Sequence, residues 1–324
     1  MADKIEFNFF ENFQTALIGN ADMFLGRVSS LISYISPLIT AGLGIYIILQ
    51  AYHYYSKGLD ETILDISRRM IGWILIAMLA LNASNYQEIA TMIWEFPDEI
   101  ASAVNGTEFK GSALDTSRKT SDDLMENLHK KAEKPLDGLG KLGKYFIFGL
   151  NMTVSKIFAA ILLLIVFVYY LIAKIFLLMS VMVGPIFIGC LFFPATRQWG
   201  MNWINQIANY TITIVLYIVL AMIQKNFFDS TILGYMRLID EHPIAATGAV
   251  QMVFYSGVMA VMFLLSTIVF GLVAMRVPTL ASALTGGATL ESGIGRLANT
   301  VTGSNMYKKA AQMTIGKKGK VEQG

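Results

Sequence analysis

The 324-residue chain is too apolar for an ordinary soluble protein: hydrophobic residues make up 55% of it and charged residues only 15%. Soluble domains spend about a quarter of their sequence on charge. The net charge of +2 excludes a chain that is basic as a whole, as nucleic-acid-binding proteins often are. The single cysteine, Cys190, excludes an intrachain disulfide.

The apolar residues occur in blocks of about 20, the length of helix that crosses roughly 30 Å of hydrocarbon. Backbone amides in lipid must find partners within the spanning element, which favours helices here. The sequence therefore predicts an all-α polytopic membrane protein with five transmembrane helices. One segment is expected to be broken or re-entrant, and a small extramembrane domain is expected between spans. Six crossings are the alternative.

Residues 1–87 are predicted to hold an N-terminal helix and the first two spans. Aromatic and acidic residues are spaced within residues 1–27 as in an amphipathic helix at an interface. An ordinary helix packed on its neighbours explains the same spacing, and both interpretations stay open. The first span is Leu31–Ala51, which carries no charge, and the second is the short block Met70–Tyr86.

Two glycines in the first span, Gly42 and Gly44, are candidate contacts between copies of the chain. Small residues let transmembrane helices approach closely. The sequence therefore predicts that another helix approaches this span closely.

Residues 88–144 differ sharply in composition, with 11 Asp or Glu and 8 Lys or Arg. Within them, Asp122–Lys131 has acidic residues toward its start and basic residues toward its end, as a surface helix does. This region is therefore predicted to be a small extramembrane domain.

Residues 145–275 are predicted to form the C-terminal transmembrane region. Ile157–Ala173 is one span, and Ile175–Ala195 is a second apolar block with Gly184-Pro185 at its middle. Proline lacks an amide donor and clashes with the preceding turn. We therefore expect this block to break near Gly184, to dip in and return, and to form one crossing unit with the span before it.

The last two spans are Trp203–Gln224 and a segment within Gln251–Met275. The remaining residues, 276–324, are basic and rich in glycine, which predicts a flexible tail.

The orientation follows from the basic residues that flank the second span. Arg68 and Arg69 precede it, and no Lys or Arg occurs in the 20 residues after it. Because basic residues stay cytoplasmic, residues 88–144 should face the periplasm and residues 276–324 the cytoplasm. This requires an odd number of later crossings, hence five in all. A count of every Lys and Arg favours six crossings, but charges within a folded loop domain weigh less than those beside a span.

Residues 183–203 read VGPIFIGCLFFPATRQWGMNW. This apolar run with a central Gly-Pro, followed by Phe-Pro-Ala-Thr-Arg and a tryptophan before the next span, resembles the TrbL family. That family comprises polytopic inner-membrane subunits of bacterial type IV secretion and conjugation machines. The specific resemblance covers about residues 150–225, and elsewhere the layout of spans agrees.

The resemblance implies a multi-pass protein of the bacterial inner membrane that has no catalysis of its own. It implies a platform or channel component that supports translocation of DNA or protein and assembly of a pilus or stalk. The implied partners are the stalk or minor pilin, the bridging inner-membrane subunit, ATPases acting in trans, membrane lipid and, transiently, the exported DNA or protein. The family also suggests a homo-oligomer, with a pentamer as one arrangement, and a central domain in the periplasm.

Seven residues are candidates for structural or translocation roles: Lys174, Gly184, Pro185, Pro194, Arg197, Trp203 and Asn205. A charge such as Lys174 within a membrane is costly and marks a functional candidate. We favour a position at the end of its span, from which it snorkels to the headgroups. Gly184 and Pro185 are expected to form the turn of the re-entrant segment.

Arg197 is expected to anchor the topology, with pairing to Glu61, Asp65 or a partner subunit as the alternative. Asn205 belongs to a run of amides at the start of a span, whose expected role is hydrogen bonding between helices. An amide-lined passage is the other interpretation.

No cofactor, metal site or catalytic residue is expected. The three histidines are in separate segments without an HExxH spacing, and no GxxxxGK[ST] motif occurs. The competing function is a secondary transporter that uses the broken span near Gly184-Pro185. Because the two halves show no internal repeat, the secretion platform is preferred.

Overall fold

A computed structural model describes residues 8–57, 63–105, 114–116, 118–119, 122–123, 126, 139–241 and 244–285. Nine helices have both of their ends within this part of the chain: α1 (Phe9–Ile18), α2 (Ala21–Gly26), α3 (Val28–Lys57), α4 (Ile63–Ala80), α5 (Ala83–Asn105), α6 (Leu139–Met182), α7 (Gly184–Cys190), α8 (Arg197–Glu241) and α9 (Ile244–Thr285). The described residues between 114 and 126 are helical as well. The described part of the chain contains no strand. The predicted all-α class is confirmed.

Helices α6, α8 and α9 form the centre of the fold, and they run in alternating directions. Trp203 at the start of α8 contacts Ser180 at the end of α6, and Gln224 farther along α8 contacts Leu162. Helix α8 is therefore antiparallel to α6. The helix α6 has 44 residues, which at about 1.5 Å per residue is roughly 66 Å, about twice the hydrocarbon thickness. The bundle therefore extends beyond a bilayer.

Helix α9 turns back along both of its neighbours. Its Ala274 carbonyl accepts a hydrogen bond from Tyr217 of α8, and its Thr267 hydroxyl donates to the carbonyl of Phe158 on α6. The helix continues past Met275, the predicted end of the last span, to Thr285. The rest of the predicted tail lies outside the described residues.

Four helical stretches in the described part of the chain are long and apolar enough to cross a membrane: Phe9–Ser56, Phe146–Met182, Arg197–Tyr235 and Val253–Thr285. They contain the predicted first span and the predicted span Trp203–Gln224, and they overlap the other two predicted C-terminal crossings. The protein is therefore polytopic, as expected.

The predicted second span, Met70–Tyr86, is wrong as a single helix, because α4 ends at Ala80. The side chain of Asn82 accepts hydrogen bonds from the amides of Ser84 and Asn85, at 3.0 and 3.2 Å, and so begins α5 instead. The apolar part of α4, Arg69–Ala80, is about 18 Å long at 1.5 Å per residue. A fifth crossing therefore requires α4 and α5 together.

The predicted division between Ile157–Ala173 and Ile175–Ala195 is also wrong, because α6 continues through Lys174 to Met182. The helix breaks at Val183, and α7 then has only seven residues. The predicted break beside Gly184 is confirmed. The described residues contain no separate spanning helix over Ile175–Ala195, which the six-crossing alternative requires.

The N-terminal helices pack on the bundle, as the second of the two interpretations proposed. Phe10 is buried, and its ring meets that of Phe167 edge-on with centroids 4.9 Å apart. The carboxylate of Asp115 accepts hydrogen bonds from the amides of Phe10 and Glu11, at 3.3 and 3.0 Å. An anion at a helix N-terminus compensates the unpaired amides there. Asp115 thus links α1 to the central region of the chain.

The predicted boundary between residues 87 and 88 falls inside α5, which packs against α6 and α8. The first part of the central region is therefore joined to the helical bundle. Most of the predicted surface helix Asp122–Lys131 lies outside the described residues, and the periplasmic position of residues 88–144 stays a prediction.

Candidate functional site

Helix α5 places two side chains against Lys174, the charged residue predicted to lie within the membrane region. The Nζ atom of Lys174 is 2.5 Å from Oδ2 of Asp98 and 2.9 Å from the backbone oxygen of Trp94. The same nitrogen lies 4.2 Å from the centre of the Trp94 ring. The hydroxyl of Tyr170 donates to the other carboxylate oxygen of Asp98, at 3.2 Å. We call Trp94, Asp98, Tyr170 and Lys174 the ion-pair cluster.

The interpretation that Lys174 snorkels to the headgroups is wrong. Only 1% of this residue is exposed, and its ammonium group turns toward α5. A buried charge is tolerated when it is paired and hydrogen-bonded. The carboxylate, the carbonyl and the aromatic face of α5 together meet that requirement.

The spacing of the cluster explains why two helices build it. Tyr170 and Lys174 are four residues apart on α6, and Trp94 and Asp98 are four residues apart on α5. Residues at this spacing lie on one face of a helix. Each helix thus presents a matched pair, and the pairing fixes the register between α5 and α6.

A cavity of about 950 Å³ borders the cluster and is lined by residues of α1, α2, α5 and α6. Its wall includes Asp22, Glu95, Asp98 and Glu99. Asp98 has 38% of its side chain exposed, whereas Lys174 is closed off. Water can therefore reach the carboxylate of the pair but hardly the ammonium group.

The break after α6 exposes two carbonyl oxygens that a continuous helix would satisfy. In a regular helix the amides of residues 184 and 185 would donate to the carbonyls of Ser180 and Val181. Pro185 has no amide hydrogen, and α6 ends before Gly184. The two carbonyls at the end of α6 therefore need other donors.

Side chains of α8 and α5 supply those donors. Nε1 of Trp203 donates to the Ser180 carbonyl at 2.8 Å, and the Tyr86 hydroxyl donates to the Val181 carbonyl. Gly184 leaves the necessary space, because a Cβ atom there would lie 2.6 Å from Cζ2 of Trp203 and closer still to the Tyr86 hydroxyl. Two aromatic side chains thus fill the space at the break, and their hydrogen bonds connect α5 and α8 to the end of α6.

The structure brings together three of the candidates predicted from the sequence, Trp203, Gly184 and Pro185. The sequence does not predict the part played by Tyr86, because nothing in its local pattern indicates a partner 95 residues away. The transporter alternative needs an open site at the break, and in the described residues Tyr86 and Trp203 occupy that space.

The remaining candidates lie apart from the ion-pair cluster. Pro194 is exposed in the turn that precedes α8, and Arg197 is exposed at the first position of α8. Asn205 is half-buried on α8, and Asn209, one turn farther on, donates to the hydroxyl of Thr285 on α9 at 3.4 Å. Hydrogen bonding between helices is thus observed within this run of amides.

The pairing of Arg197 with Glu61 or Asp65 stays a prediction. Glu61 lies outside the described residues, and the side chain of Asp65 is not described.

The two glycines of the first span differ in their surroundings. A Cβ atom at Gly42 would lie 3.0 Å from Cζ of Phe193 in the same chain, whereas nothing lies within 4 Å of such an atom at Gly44. The close approach at Gly42 is therefore made within one chain. The prediction of a contact between copies is better directed at Gly44.

These features define a multi-span, all-helical membrane protein whose buried charge and broken helix hold helices together. Within the described residues, no group of three or more His, Cys, Asp and Glu side chains could hold a metal ion.

The chain belongs to the TrbL/VirB6 plasmid conjugal transfer protein family, which it matches over residues 43–266. It is similar to the type IV secretion system protein VirB6 of Bartonella henselae and to that of Bartonella quintana, with 24% identity to each over 201 residues. Each match covers 60% of this chain and 59% of the relative. The chain thus spans about three fifths of the length of these relatives.

The resemblance to the TrbL family predicted from residues 183–203 is confirmed. Together with the four membrane-capable helices, family membership makes this a multi-pass protein of the bacterial inner membrane. It also supports a role as a component of a type IV secretion or conjugation system.

Proposed function

We propose that this chain is a non-catalytic platform and channel subunit in the inner membrane of a type IV secretion or conjugation machine. In this role it supports passage of the exported DNA or protein and provides the base on which a stalk or pilus assembles. Energy comes from ATPases acting in trans.

The observation that carries this proposal is the extent of the family match. Residues 43–266 reach from α3 into α9 and include the ion-pair cluster and the break between α6 and α7, which we call the filled break. The match to a conjugal transfer family therefore covers the packed helices that contain both features.

The ion-pair cluster has a mechanical role in this proposal. It holds α5, the start of the central region, against α6 of the C-terminal bundle. A central region on the periplasmic side would then meet the stalk or minor pilin on a rigid base. Force or displacement at the stalk would pass to the bundle through α5.

The test is complementation of a strain that lacks the gene, with conjugative transfer or effector export as the readout. We expect Asp98→Ala to reduce transfer at equal membrane levels, because it removes the carboxylate that is bound to the buried Lys174. The control is Asp229→Ala, since Asp229 has the same 38% exposure but pairs with the exposed Lys225. Normal transfer in the strain without the gene would contradict the proposal.

We also propose that several copies assemble around a central axis, with Gly44 at a contact between copies. Replacing Gly44 with leucine should lower the mass of the complex extracted in mild detergent, because bulk is added where helices approach. Gly149→Leu is the control, since space around this glycine of α6 is also open. A native chain that is monomeric beside its neighbouring gene products would contradict the platform.

A further inference from the structure

A second cavity, of about 280 Å³, forms an apolar groove between α4, α5, α7 and α8. Leu75 and Ile204, which are 57% and 41% exposed, stand at its mouth, and Ile188 and Trp203 are buried at its floor. Every residue of its wall is aliphatic except Trp203, whose N–H is already bound to the carbonyl of Ser180. Nothing in the wall can therefore bind a polar ligand.

Such a groove on a membrane protein suits a chain of methylene groups. Its volume lies just below the range of about 300–1,000 Å³ that is usual for small-molecule sites. It is therefore too small for a bulky ligand and has no polar group that would orient one. Any affinity beyond that of bulk lipid must come from outside the groove.

Basic residues lie at one end of the groove. Arg197 precedes Ile204 on α8 by seven residues, and Arg69 precedes Ile76 on α4 by seven residues. Seven residues are two helical turns, so each arginine lies on the groove's face of its helix, about 10 Å from the wall.

Both arginines lie at the same end of the bundle. Trp73, one turn after Arg69, packs on Tyr46, and Tyr46 packs in turn on Phe193, with ring centroids 5.5 and 6.0 Å apart. Phe193 is in the turn that leads to Arg197. The guanidinium group of Arg69 donates to the Tyr54 hydroxyl at 2.8 Å, which holds this side chain in place.

We propose that the groove binds an acyl chain of an anionic phospholipid, with the phosphate held by Arg197 and Arg69. The two positive charges complement the headgroup, and the groove accepts the chain below it. The headgroup layer of a bilayer is about 5–7 Å thick on each side. An extended arginine side chain covers the remaining distance.

The experiment is native mass spectrometry of the full chain in detergent, with phosphatidylglycerol and phosphatidylcholine of identical acyl chains at equal concentration. The native chain retains more phosphatidylglycerol. Arg197→Gln lowers that retention about fivefold, the equivalent of about 1 kcal/mol for one basic residue near a headgroup. Arg276→Gln removes an equal charge from the exposed surface of α9 and leaves retention unchanged. Equal retention of the two lipids by the native chain overturns the proposal.

The groove itself is tested by Ile204→Trp, which fills the mouth and brings retention of phosphatidylglycerol down to the phosphatidylcholine level. Ile223→Trp is the control, since Ile223 is 55% exposed elsewhere on α8. A dimer that Ile204→Trp abolishes, with lipid retention unchanged, assigns the groove to a second copy and overturns the proposal. Neither result depends on the role in secretion, which complementation tests separately.

Discussion

Substituting Asp98 and substituting Lys174 should lower the stability of the chain by different amounts, because the two side chains of this ion pair differ in burial. Asp98→Ala leaves an ammonium group that is 1% exposed, and the Trp94 carbonyl and ring remain in contact with it but no carboxylate is bound to it. Lys174→Met leaves a carboxylate that is 38% exposed and can be hydrated from the adjoining cavity.

The expected losses in the free energy of unfolding follow from this difference in burial. Leaving a buried charge without its partner costs about 3–5 kcal/mol, which is our expectation for Asp98→Ala. For Lys174→Met we expect about 1–2 kcal/mol, because solvent screens the remaining carboxylate. The double variant, Asp98→Ala with Lys174→Met, no longer buries the ammonium group, so it should be more stable than Asp98→Ala alone.

The assay is the melting temperature of the detergent-solubilised chain, followed by size-exclusion chromatography after heating. At about 2.1 cal/mol/K of unfolding entropy per residue, one kcal/mol corresponds to roughly 1.5 °C for a chain of this length, so Asp98→Ala should lower the midpoint by roughly 4–8 °C. Asp229→Ala, whose partner Lys225 is exposed, should change it by less than about 2 °C.

Two results would refute this reasoning. One is a larger loss for Lys174→Met than for Asp98→Ala, which would mean that the ammonium group is hydrated. The other is a double variant whose loss equals the sum of the single losses, since contacting residues should show coupling.

Three further predictions concern the broken helix and the topology. Tyr86→Phe should cost about 1–3 kcal/mol in the same melting assay, because it leaves a buried carbonyl of α6 without its donor; no change would mean that water replaces the hydroxyl. Gly184→Ala should cost about 1–3 kcal/mol because its methyl group meets the indole, whereas Gly234→Ala, in open space on α8, should be neutral or stabilising. Alkaline phosphatase fused after Gly106 should be active and after Gly303 silent, and the reverse at Gly106 would place the central region in the cytoplasm.

Long apolar runs and one proline made much of the fold predictable. The spans in α3, α8 and α9 follow from uncharged stretches, and the break after Met182 follows from the missing amide of Pro185. The end of α4 was missed because the apolar run continues to Leu81. Its cause is local, since the Asn82 side chain caps α5.

The partners of Lys174 could not be predicted in the same way. Asp98 lies 76 residues earlier, in a segment whose charge density indicated an extramembrane domain. Composition reports the average environment of a region, whereas a buried ion pair depends on one register between two helices. The same limit applies to Tyr86, whose carbonyl partner exists only because α6 breaks elsewhere in the chain.

The filled break also sets an order for biogenesis. The chain is made from its N-terminus, so Tyr86 is already present when the end of α6 emerges, and the Val181 carbonyl can be satisfied at once. The Ser180 carbonyl has its donor only after Trp203 has been synthesised and α8 has begun to insert. The last turn of α6 therefore matures in two stages. A nascent chain that has left the ribosome as far as Pro185 but not as far as Trp203 would hold that turn with one of its two side-chain donors.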